Sequence, residues 1–120
     1  MSNNSESLEI VPAKNQTKLF GYEYYFDFFI KLYEKDKLPN TILLSGLKGS
    51  GKATFAYHFI NYLLSQKERD KYSTNNFSIS PDNKSYKDIC NRTHPNFLLI
   101  ENDGSNENIR IENVRNVLKF

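Results

Sequence analysis

Cysteine is almost missing from the 120 residues: Cys90 stands alone. No intrachain disulfide can form, and with two histidines beside it the usual four-ligand Cys/His zinc site is out of reach. Cys90 reads instead as a small, partly buried apolar residue. Charge of one sign is scarce too, because 16 basic and 14 acidic side chains leave a net charge of only +2. That lacks the clustered excess with which a dedicated nucleic-acid binder holds phosphates. No apolar run approaches the ~20 residues needed to span a bilayer. The opening stretch MSNNSESLEI has neither a basic start nor an apolar segment, so it does not read as a secretory signal. The expectation is a soluble, cytoplasmic protein with no membrane partner. The apolar fraction of 38% and aromatic fraction of 14% are enough for a core and argue against wholesale disorder. The length leaves room for one domain and little more.

Residues 1–10 are polar and rich in Ser and Asn, a flexible lead-in. VPAKNQTKLFG follows as an extended arm, with Pro12 blocking an early helix and Gly21 marking a turn. Tyr22, Tyr25, Phe26, Phe29, Ile30 and Tyr33 then fall on one face of a helix, closed by KDKLPN because Pro39 disfavours helical geometry at Leu38. TILLS, residues 41–45, is short, apolar and unalternating, as a strand buried on both faces of a parallel sheet would be. Phe55, Ala56, Phe59, Ile60, Leu63 and Leu64 mark a second helical stripe. Both stripes are core-packing signals. Residues 66–90 are polar, hold Pro81 and show no sustained period, which predicts a long surface insertion with a helical turn near Lys84 to Cys90. NFLLIEN offers a second strand, and IRIENVRNVLKF begins a third helix with Ile111, Val114, Val117 and Leu118 inward. That alternation predicts an α/β fold, a parallel sheet covered by helices. Two strands make too small a sheet to stand alone, and Phe120 falls inside a helical pattern, so the expectation is the N-terminal part of a larger domain. A complete small protein is the alternative.

Between the first strand and the second helix lies Gly46-Leu47-Lys48-Gly49-Ser50-Gly51-Lys52, which satisfies the G-x-x-x-x-G-K part of a Walker A phosphate loop. At average composition the pattern arises by chance in a chain of this length with a probability on the order of a few per cent. Its seat between an apolar strand and an amphipathic helix lowers that further. Glycines at positive φ let successive amides turn inward around phosphate oxygens. The helix that follows aims its positive end at the same anion, and Lys52 reaches the outer phosphates as a flexible point charge. The bland reading is a Gly-rich turn that merely joins strand to helix. Lys48, inside the loop, is read as solvent-facing. After the lysine the motif wants Ser or Thr, whose oxygen enters the Mg²⁺ shell, but this chain has Ala53. Thr54 sits about 100° further round the helix and cannot simply take over. Nucleotide binding, with ATP as the candidate ligand, survives this change, whereas magnesium placement is weakened. Glu101 and Asp103 are the only carboxylates placed like a second metal site, and they read better as a strand end and polar loop. No catalytic residue is identified.

KLFGYE, KLPNTILLSGLKGSGKATFAYHFINYLL, THPNFLLIE and IRIENVRNV together resemble the start of the delta-prime subunits of bacterial DNA polymerase III, which belong to the AAA+ clamp loaders. The joint occurrence of Leu38-Pro39, Gly51-Lys52-Ala53-Thr54 and Thr93-His94-Pro95 is more selective than the phosphate loop alone. The resemblance covers roughly residues 11–120. It implies the N-terminal part of an AAA+ nucleotide-binding domain, with Gly46 to Thr54 around ATP and with Val11, Pro12, Phe20, Gly21 and Tyr22 near the adenine. It also implies that the acidic strand for hydrolysis lies beyond Phe120, so that Glu101 binds no metal. Many members carry a cysteine-rich zinc module before the His-Pro turn; here only Cys90 remains, so zinc is not expected. His94, in that turn, is expected to be structural, and His58 to sit on the helix surface. The implied partners are the other clamp-loader subunits, the sliding clamp, and primer-template DNA through the assembly. Two readings compete: a small P-loop phosphotransferase or kinase, and an AAA+ fragment that binds nothing and serves as a structural module.

Overall fold

The computed structural model describes residues 11–47 and 49–100. Three helices organise them: α1 (Glu23–Glu34), α2 (Lys52–Leu64) and α3 (Lys84–Cys90), with a short 3-10 turn at Ala13–Asn15. Phe26, fully buried on α1, is the hub. Its ring lies 5.9 Å from Phe55, 5.6 Å from Phe59 and 6.0 Å from Tyr62, all on α2 and all edge-on, the arrangement the aromatic quadrupole favours. Tyr72 stacks on it at 5.1 Å and Phe77 meets it edge-on at 5.6 Å.

Helix α1 ends at Glu34, where KDKLPN begins, and a backbone cap closes it ahead of Pro39. Asp36 takes the left-handed conformation (φ 58°). The Lys37 amide returns to the Leu32 carbonyl (2.8 Å) and the Asp36 amide to Tyr33 (3.0 Å), the paired bonds of a Schellman cap. Helix α3 ends the same way, with Arg92 left-handed (φ 59°) and Thr93 bonded back to Asp88 at 2.8 Å.

Helix α2 presents three faces. Phe55, Phe59 and Tyr62 face the aromatic hub. His58, Asn61 and Ser65 form a second, fully buried polar face. Ala53, Ala56, Tyr57 and Ile60 border an open groove of about 920 Å³ whose far side is Phe97 to Ile100.

Residues 66–90 are not a surface insertion. Tyr72, Ile79, Asn83, Ser85 and Ile89 are buried, and the segment is stitched to both the N-terminal arm and α2. The Leu19 amide donates to Phe77 (3.0 Å), the Ile79 amide to Thr17 (2.8 Å), and Ser73 and Ser78 exchange backbone bonds at 3.0 and 3.2 Å. Polarity misled the sequence reading because much of this interface is hydrogen-bonded. Asn61 and Asn83 bond each other reciprocally at 2.9 and 3.1 Å, and Asn83 also caps α3 by accepting from the Tyr86 amide at 2.7 Å.

His58 is likewise not on the surface. Its Nε2–H donates to the Gln16 carbonyl (2.9 Å) and its Nδ1 accepts from the Tyr72 hydroxyl (2.7 Å). Burial lowers its pKa, partly offset by the bond to Gln16. Burial likewise pushes the Tyr72 phenol well above its ordinary range.

Among the described residues the only β pairing is two isolated bridges, Lys18 to Ser78 and Ser73 to Ser78. The segments 41–45 and 97–100 carry no ladder, and Leu43 is 88% exposed. No helix among the described residues is long and apolar enough to cross a membrane. The third helix expected over residues 109–120 lies outside the described residues.

Candidate functional site

The glycine loop joins residue 45 to α2 and is built from backbone conformations that side chains resist. Gly49 (φ 80°) and Gly51 (φ 94°) are left-handed. Gly49 is the third residue of a turn closed by the Ser50 amide on the Leu47 carbonyl at 3.1 Å. Gly51 is the residue from which α2 starts, its carbonyl accepting from the Phe55 amide at 2.9 Å. The amides of Lys52, Ala53 and Thr54 occupy the first turn, where no preceding helical carbonyl is available to them. That turn holds no acidic side chain to offset the positive end of the helix.

Lys52 folds back over the loop. Its ammonium donates to the carbonyls of Gly46 (2.9 Å) and Leu47 (3.2 Å). From the other side the Tyr22 hydroxyl donates to the Ser50 carbonyl. The Tyr22 ring covers Gly51, where an added Cβ would meet ring carbon Cε2 at 3.2 Å. It also stands edge-on to Phe55 at 5.6 Å. Beside the loop, Tyr22, Tyr25, Phe29 and Phe55 form one side of a groove of about 320 Å³ that Leu44, Ser45 and Lys52 complete. The loop is therefore cationic at its mouth and aromatic along one wall.

The predicted site residues divide clearly. Gly46, Leu47, Gly49, Ser50, Gly51 and Lys52 come together as one loop; Lys48 lies outside the described residues. Ala53 borders the larger groove on the opposite flank of α2, and Thr54 is half-buried in the first turn. Of the residues that the resemblance places near adenine, Tyr22 reaches the loop, Pro12 lines the larger groove, and Phe20 is 77% exposed. Glu101 and Asp103 lie outside the described residues. Sequence reasoning missed the contact between Tyr22 and the loop. Its only signal was an aromatic residue directly ahead of α1, which by itself does not point 28 positions along the chain.

A second constellation has the residue types of a hydrolytic triad without its proton order. The Asn96 amide donates to His94 Nδ1 (3.0 Å), so His94 Nε2–H donates to Ser85 Oγ (3.2 Å), and Ser85 in turn donates to the Glu68 carboxylate. A nucleophilic serine must give its proton to the histidine, and here the histidine gives one to the serine. Ser85 is also fully buried. The chain fastens the His-Pro turn to α3, the structural role expected of His94. Cys90, half-buried, accepts from Asn15 at 3.4 Å and donates to the Lys14 carbonyl at 3.5 Å.

A family model described as DNA polymerase III, delta subunit, matches residues 22–120. No curated protein and no solved structure matches the chain.

Proposed function

Because the chain belongs to the DNA polymerase III delta-subunit family, we propose that it is a clamp-loader subunit of the delta-prime kind whose glycine loop holds ATP without turning it over efficiently. The observation that carries the nucleotide part is Lys52, poised over the loop by two carbonyls at 2.9 and 3.2 Å. A triphosphate offers that ammonium better acceptors than neutral carbonyls do, since both partners are then ionised and Coulomb attraction adds to the hydrogen bond. The flexible stem lets Lys52 exchange one set for the other, and the open first turn of α2 adds amides and a positive dipole end. Ala53 supplies no oxygen for magnesium, so binding outlasts catalysis.

In this reading residues 41–45 and 97–100 are strands of an AAA+ parallel sheet. The apolar third face of α2 supports it, with Leu98, Leu99 and Ile100 presented across the groove at 39, 43 and 37% exposure. Nucleotide would stiffen the subunit and set its interface with neighbouring clamp-loader subunits in the cytoplasm. The sliding clamp and primer-template DNA would be met through the assembly, since the net charge of +2 supplies no basic stripe.

Titration with a fluorescent ATP analogue, with and without magnesium, tests the loop. Saturable binding that Lys52→Ala abolishes is expected, with little gain from magnesium. Binding by neither protein would leave a purely structural module. Strong magnesium dependence with phosphate transfer would favour a phosphotransferase. Co-assembly with the other clamp-loader subunits tests the partner assignment, and failure to enter that complex refutes it.

A further inference from the structure

We propose that Tyr22 is a positioning residue for the phosphate loop: its hydroxyl and ring lock the start of α2 against the start of α1, so the loop is ordered before any anion arrives. The inference rests on the phosphate-loop reading above and adds a residue outside the G-x-x-x-x-G-K pattern. Tyr22 is the N-cap residue of α1, its carbonyl accepting from the Phe26 amide at 2.9 Å, and Gly51 is the N-cap residue of α2. One side chain therefore bridges the two helix starts by donating to the Ser50 carbonyl, 28 residues along the chain. The ring packs over the bare face of Gly51, where an added Cβ would sit 3.2 Å from ring carbon Cε2 and force the ring to give way, and it rests edge-on against Phe55 at 5.6 Å. Gly51 is thus required twice, for its left-handed backbone and for the room it leaves the tyrosine.

The consequence is a division of labour around the loop carbonyls. Lys52 holds those of Gly46 and Leu47, and these bonds must yield when the ammonium turns to a phosphate. The Ser50 carbonyl, held by Tyr22, need not be released. Tyr22 keeps the C-terminal half of the loop in place while the N-terminal half exchanges partners. Preorganisation of this kind raises affinity by lowering the ordering entropy of binding.

The test is Tyr22→Phe, which keeps the ring on Gly51 and Phe55 and removes only the hydroxyl. Fluorescent ATP and inorganic tripolyphosphate are each titrated into wild-type and variant full chains, and hydrogen exchange is followed over residues 46–52. Affinity for both ligands should fall together by about twofold to tenfold, the range one net hydrogen bond carries. Exchange should quicken in the loop and stay unchanged in the interior of α2. Equal affinities for tripolyphosphate in the two chains overturn the proposal. So does a loss confined to ATP, which would assign the phenol to the base and not to the loop. A wild-type chain that binds neither ligand refutes the phosphate-loop reading itself, and the positioning role falls with it.

Discussion

Replacing Asn83 with alanine should unfold more of this protein than any surface reading of residues 66–90 would allow. The carboxamide uses its full bonding capacity. Its oxygen accepts from Asn61 Nδ2 (2.9 Å) and from the Tyr86 amide (2.7 Å), and its nitrogen donates to Asn61 Oδ1 (3.1 Å) and the Asp70 carbonyl (2.9 Å). Asn83 is 0% exposed and Asn61 1%, so water cannot replace these partners without opening the interface. Losing the cap of α3 costs about 1 kcal/mol. Leaving the Asn61 amide and the Asp70 carbonyl short of partners costs roughly 1–3 kcal/mol more for each group that stays buried. The sum, about 3–7 kcal/mol, is a large share of the roughly 5–15 kcal/mol that holds an ordinary domain together. Urea unfolding followed by circular dichroism should show a lower midpoint at an unchanged slope. Asn91→Ala, at the exposed end of α3, is the control and should shift the midpoint little. In a cycle with Asn61→Ala the double variant should lose clearly less than the two single losses added, because the pair shares its bonds. A loss below about 1 kcal/mol for Asn83→Ala, or strict additivity in the cycle, would refute the account of a buried and mutually satisfied pair.

Three further outcomes follow from the buried core and from the cap of α1. Burial holds the pKa of His58 below its unfolded value of 6.5, so its contribution to stability is complete above that pH and is lost as pH falls through the lower folded value. Tm should therefore drop between neutral and mildly acidic pH, and His58→Gln should flatten that limb; parallel curves for the two proteins would contradict it. Phe26→Ala empties the hub of the aromatic cluster and should cost about 3–5 kcal/mol in denaturant unfolding. Asp36→Gly relieves a left-handed side-chain residue in the cap of α1 and should stabilise by about 0.5–1 kcal/mol, read as a small rise in Tm.

What could be read from the sequence was what depends on apolar spacing and on glycine. The intervals from Tyr22 to Tyr33 located α1, and those from Phe55 to Leu64 located α2, because burial of one helical face leaves that spacing behind. The glycine loop was legible because a side chain at Gly51 would be strained at φ 94° and would crowd the Tyr22 ring. The second face of α2 was invisible. His58, Asn61 and Ser65 count as polar in any hydropathy pattern, yet each is buried and hydrogen-bonded to a residue that sequence distance conceals. Tyr72, Phe77 and Ile79 suffered the converse fate. They are apolar residues so diluted by Ser, Asn and Asp that no period survived, although they close the hub and pair with the N-terminal arm. The end of α1 at KDKLPN was legible, but its cause was not, because a Schellman cap on Asp36 has no glycine to announce it.

The two occupied faces of α2 differ in what they can specify. An aromatic cluster tolerates small slips, since several edge-on arrangements have similar energies. A reciprocal amide pair does not, because a shift of one residue would strand four buried bonding groups at once. Asn61 and Asn83 therefore fix the register of residues 66–90 on α2, while Phe26 and its neighbours supply most of the apolar burial. With both faces anchored, the start of the helix has little freedom to turn, and Lys52 and the amides behind it keep their direction relative to α1. The third face carries small residues, Ala53 and Ala56, beside larger ones, Tyr57 and Ile60. That is a surface on which a flat layer can lie close, and in the proposed fold it is where the sheet packs. A phosphate-binding helix must be rigid at its start and covered along its back. Polar registration on one side, aromatic burial on the second and a sheet on the third would meet both needs with a single 13-residue helix.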